Sequence, residues 1–424
     1  MYLFYRQWAN FRKSYAAIGS LRRLFPEVPF IALTATATQD TQQKVLQSLE
    51  MTAPKIFAES VSRTNLKLKV IKKENDVIEQ IHSIIEKDYQ GQTGIIYMQT
   101  TDECKKITAE LQMKGIKIKS YFGAMKSDTK VANQKMWMDG RIQLMSATSA
   151  FGAGVDKKDV RIILHGSLPN SIEDYVQQVG RAGRDGENAS AILLYSAKDV
   201  ESGIDIVSPP TTRSPDKFQV EGIQRILELQ DFLTSKGECR NAVLRQYFGE
   251  QVKTCIALGG EACDNCDEKV DNTNVDIMVE ASAITEELQR RESFEFNVLV
   301  DSLKGTTRPD DSCKLVAIMR FWPTPEIQRF VRFIARNGLV TLEPDYHPET
   351  EEVIVNVKLG PKWNFDKSQF MLFPLSNSVK NDIEQSKFQE PEDNAELQLA
   401  GRMFVSPPPI RSSKRATNST RLQF

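Results

Sequence analysis

Several features that mark whole classes of protein are missing from this 424-residue sequence. It has no run of about 18 apolar residues, so we predict no transmembrane helix and no membrane partner. Its first residues lack the apolar region and small-residue cleavage site of a signal peptide. It has only six Cys, four of them between Cys239 and Cys266, which favours a metal site over a disulfide framework. The net charge of −1 neither supports nor opposes a nucleic-acid partner, because local basic patches decide that question.

Two motifs of ATP-hydrolysing enzymes are also missing. The sequence has no Gly-x-x-x-x-Gly-Lys-Ser/Thr loop, whose backbone cradles the β- and γ-phosphates. It also has no Asp-Glu-x-His box after a strand to hold Mg²⁺. We therefore predict that these 424 residues are catalytically silent toward ATP by themselves.

Strand-like and helix-like segments alternate through residues 61–200. Apolar runs such as 94–97 and 160–165 alternate with helical segments such as 102–114, which ends at Gly115, a good C-cap residue. This alternation predicts an α/β domain in which helices cover a parallel sheet. In residues 1–60, the apolar run 30–33 is predicted to be another buried strand.

The C-terminal half is predicted to contain three further regions. Residues 201–272 are helical and end in the Cys cluster, and residues 275–372 form an α+β unit with a helix and two extended runs, which suggests a winged helix. Its segment 325–336 is amphipathic, and one of its faces carries basic side chains: Arg329, Arg332 and Arg336. Residues 373–424 are polar and basic toward the end, so we predict a disordered tail.

The sharpest motif is the segment 177–186, which reads QQVGRAGRDG. Arg181 and Arg184 each follow a Gly and lie three residues apart, so both can reach one anionic site from a tight turn. Guanidinium groups at such a site stabilise the charge that builds up on a γ-phosphate during phosphoryl transfer. The alternative is a surface turn with solvated arginines.

A glycine-containing loop precedes this motif by about 25 residues. Gly152 and Gly154 follow a predicted strand and allow a backbone to approach a ligand closely. Asp156 can accept hydrogen bonds from a ribose or from an arginine. Alone, the loop is also compatible with an ordinary tight turn.

The Cys cluster predicts one Zn²⁺. Cys263 and Cys266 have the Cys-x-x-Cys spacing of a zinc knuckle, and Cys239 and Cys255 can complete four thiolate ligands. The alternative is a set of four reduced, buried cysteines. Cys104 and Cys313 are predicted to be dispensable for the metal.

These segments resemble superfamily-two helicases, and the RecQ family in particular. The similarity runs from about residue 7 to about residue 362, and the segments 34–38, 95–97, 146–156 and 177–186 resemble motifs III, IV, V and VI. The segment 358–362 is similar to the short vertebrate-type members. The RecQ resemblance implies ATP-dependent, 3′-to-5′ DNA unwinding in nuclear repair, recombination or replication. It further implies a second RecA-like lobe at 61–200 and an incomplete first lobe at 1–60, because the chain would begin after the phosphate loop.

Several residue roles follow from the resemblance. Gln177, Arg181 and Arg184 would be catalytic, with Arg184 as the arginine finger. Gly152, Gly154 and Asp156 would face the nucleotide, with ATP and Mg²⁺ as cofactors of the full-length enzyme.

The resemblance also implies contacts with DNA. Trp8, Phe11 and Arg12 lie in a loop whose aromatic residues would stack on single-stranded DNA, although this loop is one residue short and lacks the family's usual His. The alternative is that these aromatic residues pack against the N-terminal edge. Arg329, Arg332 and Arg336 would hold the backbone of a duplex junction, unless they form a merely solvated face. At the hairpin tip, Glu351 stands where the family has a strand-separating aromatic residue, and Tyr346 or His347 would be its substitute. Two other functions stay open: a DNA-binding fragment without a motor, and an RNA helicase, against which the Cys cluster and winged helix argue.

Overall fold

The computed structural model describes residues 18–51, 53–152, 155–209, 216–267, 272–307, 310, 312–347, 352–364 and 371–388. In the first of these ranges two helices occur, α1 (Ser20–Leu24) and α2 (Gln39–Ser48). Thr38 is the N-cap of helix α2, and its side chain accepts a hydrogen bond from the backbone N–H of Thr41. No described helix is both long enough and apolar enough to cross a membrane.

A six-stranded parallel sheet forms the centre of the molecule, in the strand order β1-β6-β5-β2-β4-β3. Its strands are β1 (Leu66–Lys72), β2 (Gly94–Tyr97), β3 (Ile118–Tyr121), β4 (Leu144–Ala147), β5 (Ile162–His165) and β6 (Ala189–Tyr195). The helices around it are α3 (Val77–Asp88), α4 (Thr101–Met113), α5 (Ser127–Met138), α6 (Ile172–Val179) and α7 (Ala197–Val207). The predicted α/β domain with a parallel, helix-covered sheet is confirmed.

Each face of the sheet has its own apolar core. Ile96, Leu144 and Leu164 point to one face, and Ile95, Met145 and Ile163 point to the other, as period-2 alternation requires. Both sets are buried because helices cover both faces, which is the usual condition of a parallel sheet.

A helical region follows the sheet. It consists of α8 (Lys217–Thr234), α9 (Arg240–Tyr247), a 3-10 turn (Ile256–Leu258) and the short helix α10 (Asp264–Asp267). Apolar side chains of α8, among them Ile226, Leu229 and Phe232, belong to the same core as one face of the sheet. The helical region therefore extends the sheet domain and is anchored to it by burial.

The third unit contains four helices and two small antiparallel sheets among the described residues. Its elements are β7 (Asn272–Asp276), α11 (Met278–Arg291), β8 (Ser293–Glu295), α12 (Phe296–Lys304), α13 (Thr324–Arg336), β9 (Val340–His347), β10 (Glu352–Leu359), β11 (Leu372–Ser376) and α14 (Asn377–Phe388). The strands pair in the orders β8-β10-β9 and β11-β7. Their apolar side chains form a separate core around Phe330, Ile334 and Phe373.

The prediction of a disordered tail from residue 373 is wrong for its first part. Strand β11 pairs with β7, and Phe373 and Leu375 are buried in the core of the third unit. Helix α14 continues the unit to Phe388 and buries Ile383. The predicted tail beyond residue 388 lies outside the described residues.

The prediction of a buried strand at residues 30–33 is also wrong. These residues, all described, form no strand, and the relative exposure is 79% for Ile31 and 76% for Leu33. A strand of this kind is stable only when neighbouring strands satisfy its backbone and cover its side chains, and this segment has no strand beside it among the described residues.

Amide hydrogen exchange should be much faster in residues 18–57 than in the central strands of the sheet. Residues 18–57 expose Leu24, Phe25 and Phe57 as well as the 30–33 run, so little apolar burial opposes their opening. We expect their amides outside α2 to exchange at least about 100-fold faster than those of β2, β4 and β5. Exchange measured by mass spectrometry on the intact chain checks this, and equal protection of the two regions would contradict it.

Candidate active site and metal centre

Helix α6 ends at Val179 with Gly180 as its C-cap, and a turn of residues 180–187, here called the arginine turn, follows it. Arg181 is only 9% exposed, and its Nη1 donates a hydrogen bond to the backbone oxygen of Gly152 at 2.6 Å. A Cβ atom at position 152 would lie 2.7 Å from Nη2 of Arg181, so a larger residue there would displace the Arg181 guanidinium. The two segments that the sequence singled out are therefore in direct contact.

The second arginine of the turn is more open to solvent. The Arg184 side chain is 32% exposed and forms an ion pair with Asp156, with Nη1 2.8 Å from Oδ1. The same nitrogen donates to the backbone oxygen of Val155 at 2.9 Å. Because it is partly exposed and held only by the rim of the loop, Arg184 is the better placed of the two to reach an anion brought to this edge. Gln177 is half-buried in the last turn of α6, and Gly154 lies outside the described residues.

One member of this site was not among the predicted site residues. Tyr97, at the end of β2, is buried and donates from its hydroxyl to the backbone oxygen of Phe151 at 3.1 Å. Burial raises the pKa of Tyr97 to about 12, although the nearby Arg181 charge opposes this shift. Tyr97 therefore stays a neutral donor that fixes the loop from behind. Its position at the carboxyl end of a central strand was the signal that could have found it.

Four cysteine side chains converge next to the core on one face of the sheet. The sulfur atoms of Cys239, Cys255, Cys263 and Cys266 all lie within 4.8 Å of one another, and the first three residues are buried. In a tetrahedral Zn²⁺ site with Zn–S bonds of about 2.3 Å, neighbouring sulfurs are roughly 3.8 Å apart. The Sγ atoms of Cys239 and Cys255 are 3.3 Å apart, so the cluster fits a zinc ion after a small adjustment.

Hydrogen-bond donors surround these sulfurs. The backbone N–H of Cys255 points to Cys239 Sγ at 3.1 Å, that of Arg240 points to Cys263 Sγ at 3.3 Å, and Nδ2 of Asn241 lies 3.2 Å from Cys255 Sγ. Donors of this kind stabilise thiolates, the form that binds a metal. Cys255 thus belongs to the cluster.

The Cys-x-x-Cys segment is also tied to the sheet. Asp264 accepts two hydrogen bonds from the buried Arg240, at 2.9 and 3.0 Å, and one from the backbone N–H of Val70 at 2.9 Å. Lys67 forms an ion pair with Asp267. Both Val70 and Lys67 lie in β1, an edge strand of the parallel sheet, so the metal-binding segment covers that edge.

The predicted DNA-binding face of α13 is wrong. Arg329 is 5% exposed and donates to the backbone oxygens of Lys236 and Pro374. Arg332 donates to the side chain of Gln230 at 3.1 Å, and Arg336 forms ion pairs with Glu238 and Asp231. These arginines join α13 to α8 and to the segment before Cys239, which leaves them no room for a DNA backbone.

The remaining predicted contacts with DNA lie outside the described residues. These are Trp8, Phe11 and Arg12 near the start and Glu351 at the hairpin tip, together with the side chains of Tyr346 and His347.

Comparison with known families agrees with the two parts of the site. Residues 73–186 match the helicase conserved C-terminal domain, which identifies the parallel sheet and its arginine turn as a helicase lobe. Residues 198–267 match the RecQ zinc-binding domain, which contains all four clustered cysteines. The chain belongs to the RecQ family of superfamily-two helicases.

The curated relatives that the chain matches are longer proteins. The chain is 28% identical to the ATP-dependent helicase SGS1 of Saccharomyces cerevisiae over 97% of its own length and 29% of the relative. It is 31% identical to the ATP-dependent DNA helicase Q-like 2 of Arabidopsis thaliana over 84% of its length and 49% of the relative. It is 35% identical to the RecQ-like DNA helicase BLM of Xenopus laevis over 61% of its length and 19% of the relative. The chain thus spans half or less of the length of each of these relatives.

Proposed function

We propose that this chain supplies the second lobe and the zinc-binding region of an ATP-dependent DNA helicase with 3′-to-5′ polarity. The observation that carries the proposal is the contact of the arginine turn with the loop that ends at Asp156, on a lobe joined directly to the four-cysteine cluster. In this reading residues 61–200 are the lobe and residues 201–272 the zinc-binding region. Relatives named as DNA helicases support DNA as the substrate.

The arginine turn gives each residue a separate task. Arg181 is buried and organises the loop around Gly152, whereas Arg184 turns from Asp156 toward the γ-phosphate when a neighbouring lobe presents it. In the same proposal Gln177 and the 152–156 loop face the nucleotide with its Mg²⁺, and the clustered cysteines bind one Zn²⁺. The zinc would supply folding energy to the helical region and take no part in hydrolysis.

For the third unit we propose a winged helix that engages the junction of single-stranded and duplex DNA. Three helices against the antiparallel sheet β8-β10-β9, with the β9–β10 hairpin as the wing, support this assignment. The helicase would act in the nucleus, in repair, recombination or replication, as the family relationship suggests. A second function, DNA binding without hydrolysis, is favoured for the isolated 424 residues by the missing phosphate loop.

The test of this proposal at the level of DNA is a salt titration. We expect the chain to bind a forked duplex and a single strand, with affinity falling at least about tenfold between 50 and 200 mM salt, because backbone contacts release counterions. Fluorescence anisotropy at several salt concentrations measures the slope. Binding that does not respond to salt, or no binding at 50 mM salt, would refute the proposal.

A variant of Arg332 tests whether the α13 arginines join two protein units or bind DNA. Arg332→Gln removes the hydrogen bond to Gln230 and the guanidinium that lies 4.9 Å from the centre of the Phe296 ring. We expect its salt slope to equal that of the parent chain while its thermal midpoint falls, since the residue joins two protein units. A smaller slope with an unchanged midpoint would restore the predicted DNA contact.

A further inference from the structure

The segment of residues 60–65, here called the strap, precedes the first strand of the sheet and runs beside the arginine turn. From this strap Arg63 donates from Nη1 to the backbone oxygens of Gly180 and Ala182, at 3.2 and 2.9 Å. Its Nη2 donates to the backbone oxygen of Gly183. One guanidinium thus donates to three backbone carbonyls of the turn that carries Arg181 and Arg184.

A second strap residue holds the same turn. Nδ2 of Asn65 donates to the backbone oxygens of Gly183 and Glu187, both at 2.8 Å. Gly183 has φ +58°, in the left-handed region, and a Cβ atom there would lie 2.6 Å from Nδ2 of Asn65. The peptide between the two arginines is therefore shaped to accept donors from the strap.

The opposite side of the strap is fixed by the zinc-binding region. Glu250 accepts hydrogen bonds from the backbone N–H of Val61 and from the hydroxyl of Ser60, both at 2.8 Å. The backbone N–H of Glu261 donates to the backbone oxygen of Thr64 at 2.7 Å. Both glutamates lie in the loop that carries Cys255 between them, so the strap lies between the metal-binding loop and the arginine turn and contacts both.

We propose that Arg63 and Asn65 are positioning residues that set the shape of the arginine turn, and that the strap transmits the order of the zinc-binding loop to Arg184. The task of Arg184 rests on the helicase function proposed above, but the positioning itself does not. Neither residue belongs to the segments that the sequence singled out, because a lone Arg and a lone Asn in a connecting segment have no motif.

The positive charges of Arg63 and Arg184 repel each other. Burial lowers the pKa of Arg63, the positive charge of Arg184 lowers it further, and the carboxylate of Asp185 opposes both effects. Arg63 keeps its charge, since a guanidinium stays protonated in proteins. Its charge therefore disfavours a collapse of Arg184 toward the strap and favours the outward position beside Asp156.

Hydrogen exchange of the arginine turn on the intact chain tests the proposal without ATP or DNA. In the parent chain the amides of Gly183 and Gly186 donate to the backbone oxygens of Val160 and Gly183, so we expect both to be protected from exchange. We expect Arg63→Ala to raise exchange in residues 180–187 at least about tenfold, while β2 and β4 keep their parent rates. Arg63→Lys, which places one ammonium before three carbonyls, should give an intermediate rate.

Two further variants keep the test decisive if Arg63→Ala folds poorly. Asn65→Asp preserves size but replaces the donor with an acceptor that faces the oxygens of Gly183 and Glu187, so it should also accelerate exchange of the turn. Glu250→Gln should accelerate it by a smaller factor, and adding Glu250→Gln to Arg63→Ala should produce no further increase, because both act through the strap.

The NMR signal of the Arg184 side chain distinguishes a specific effect on its position from a general loss of stability. The Nε–Hε resonance of Arg184 should shift in Arg63→Ala and in Asn65→Asp but not in Arg141→Ala, which removes an exposed arginine paired with Asp139 elsewhere in the lobe. Unchanged exchange in residues 180–187, additive effects of Glu250→Gln and Arg63→Ala, or an exchange increase spread evenly over the sheet would each overturn the proposal. A failed DNA-binding test would refute the helicase function and leave these outcomes unaffected.

Discussion

Mixed with ATP, Mg²⁺ and single-stranded DNA, the 424-residue chain is expected to release no phosphate above the rate of a protein-free control. Arg181 and Arg184 stabilise a γ-phosphate only if another group holds it, and the sequence has no Gly-x-x-x-x-Gly-Lys-Ser/Thr loop to do so. Loss of an arginine finger alone costs about 10³ to 10⁵ in rate in phosphoryl-transfer enzymes. Loss of the phosphate cradle removes positioning as well, so the effect should be at least as large.

Adding a lobe that contains the phosphate loop tests the catalytic role of Arg184 in the arginine turn. In a longer protein that joins a phosphate-loop lobe to these residues, DNA-stimulated hydrolysis should appear, and Arg184→Ala should lower kcat by about 10³-fold or more. Arg141→Ala, at an exposed site paired with Asp139, should leave kcat unchanged. Phosphate release by the 424-residue chain alone, abolished by Arg184→Ala, would contradict the assignment.

Removal of zinc is expected to have the largest effect on folding. Structural zinc contributes about 10–16 kcal/mol of apparent binding energy in zinc-finger peptides, which is as large as the whole stability of a typical domain, about 5–15 kcal/mol. We expect one zinc per folded chain by elemental analysis, and a chelator should abolish the cooperative unfolding of the helical region. Because thiolates are the ligands, zinc should be lost more easily as the pH falls, when protons compete for the sulfurs.

Single substitutions locate the metal. Cys239→Ser, Cys255→Ser, Cys263→Ser and Cys266→Ser should each lower zinc content and the thermal midpoint. Cys104→Ser and Cys313→Ser are the matched controls, because both residues are buried but neither belongs to the cluster. Folded parent protein without zinc, or loss of zinc in either control, would show that the site is misassigned.

Local chemistry explains which parts of the site the sequence predicted. Gly180 and Gly183 lie close to backbone oxygens, and Gly183 has a left-handed backbone, so few other residues fit there and the pattern is visible along the chain. The cysteine spacing likewise reports a metal site because few other functions require it. Strap residues such as Arg63 act over a separation of more than 100 positions, and no local pattern records such contacts.

The wrong predictions, for the α13 arginines and for two apolar runs, share one cause: the sequence does not show what packs against a segment. Periodicity separated the apolar face of α13 from its basic face, but it cannot tell whether solvent, DNA or another helix covers the basic one. The structure places Gln230, Asp231 and Glu238 opposite the α13 arginines. Residues 30–33 and 372–376 illustrate the same limit, since an apolar run becomes a strand only where a partner strand exists, as β7 is for β11.

The metal-binding segment covers the outer edge of β1, and this contact determines how the protein aggregates when zinc is scarce. Asp264 and Asp267 hold that strand's outer side only while the Cys263–Cys266 segment keeps its shape. Without the metal, a seven-residue strand with Leu66, Leu68 and Val70 presents unpaired backbone groups to other molecules. Zinc-starved protein should therefore be lost from solution by edge-to-edge association, at a rate that rises with protein concentration, before the parallel sheet itself unfolds.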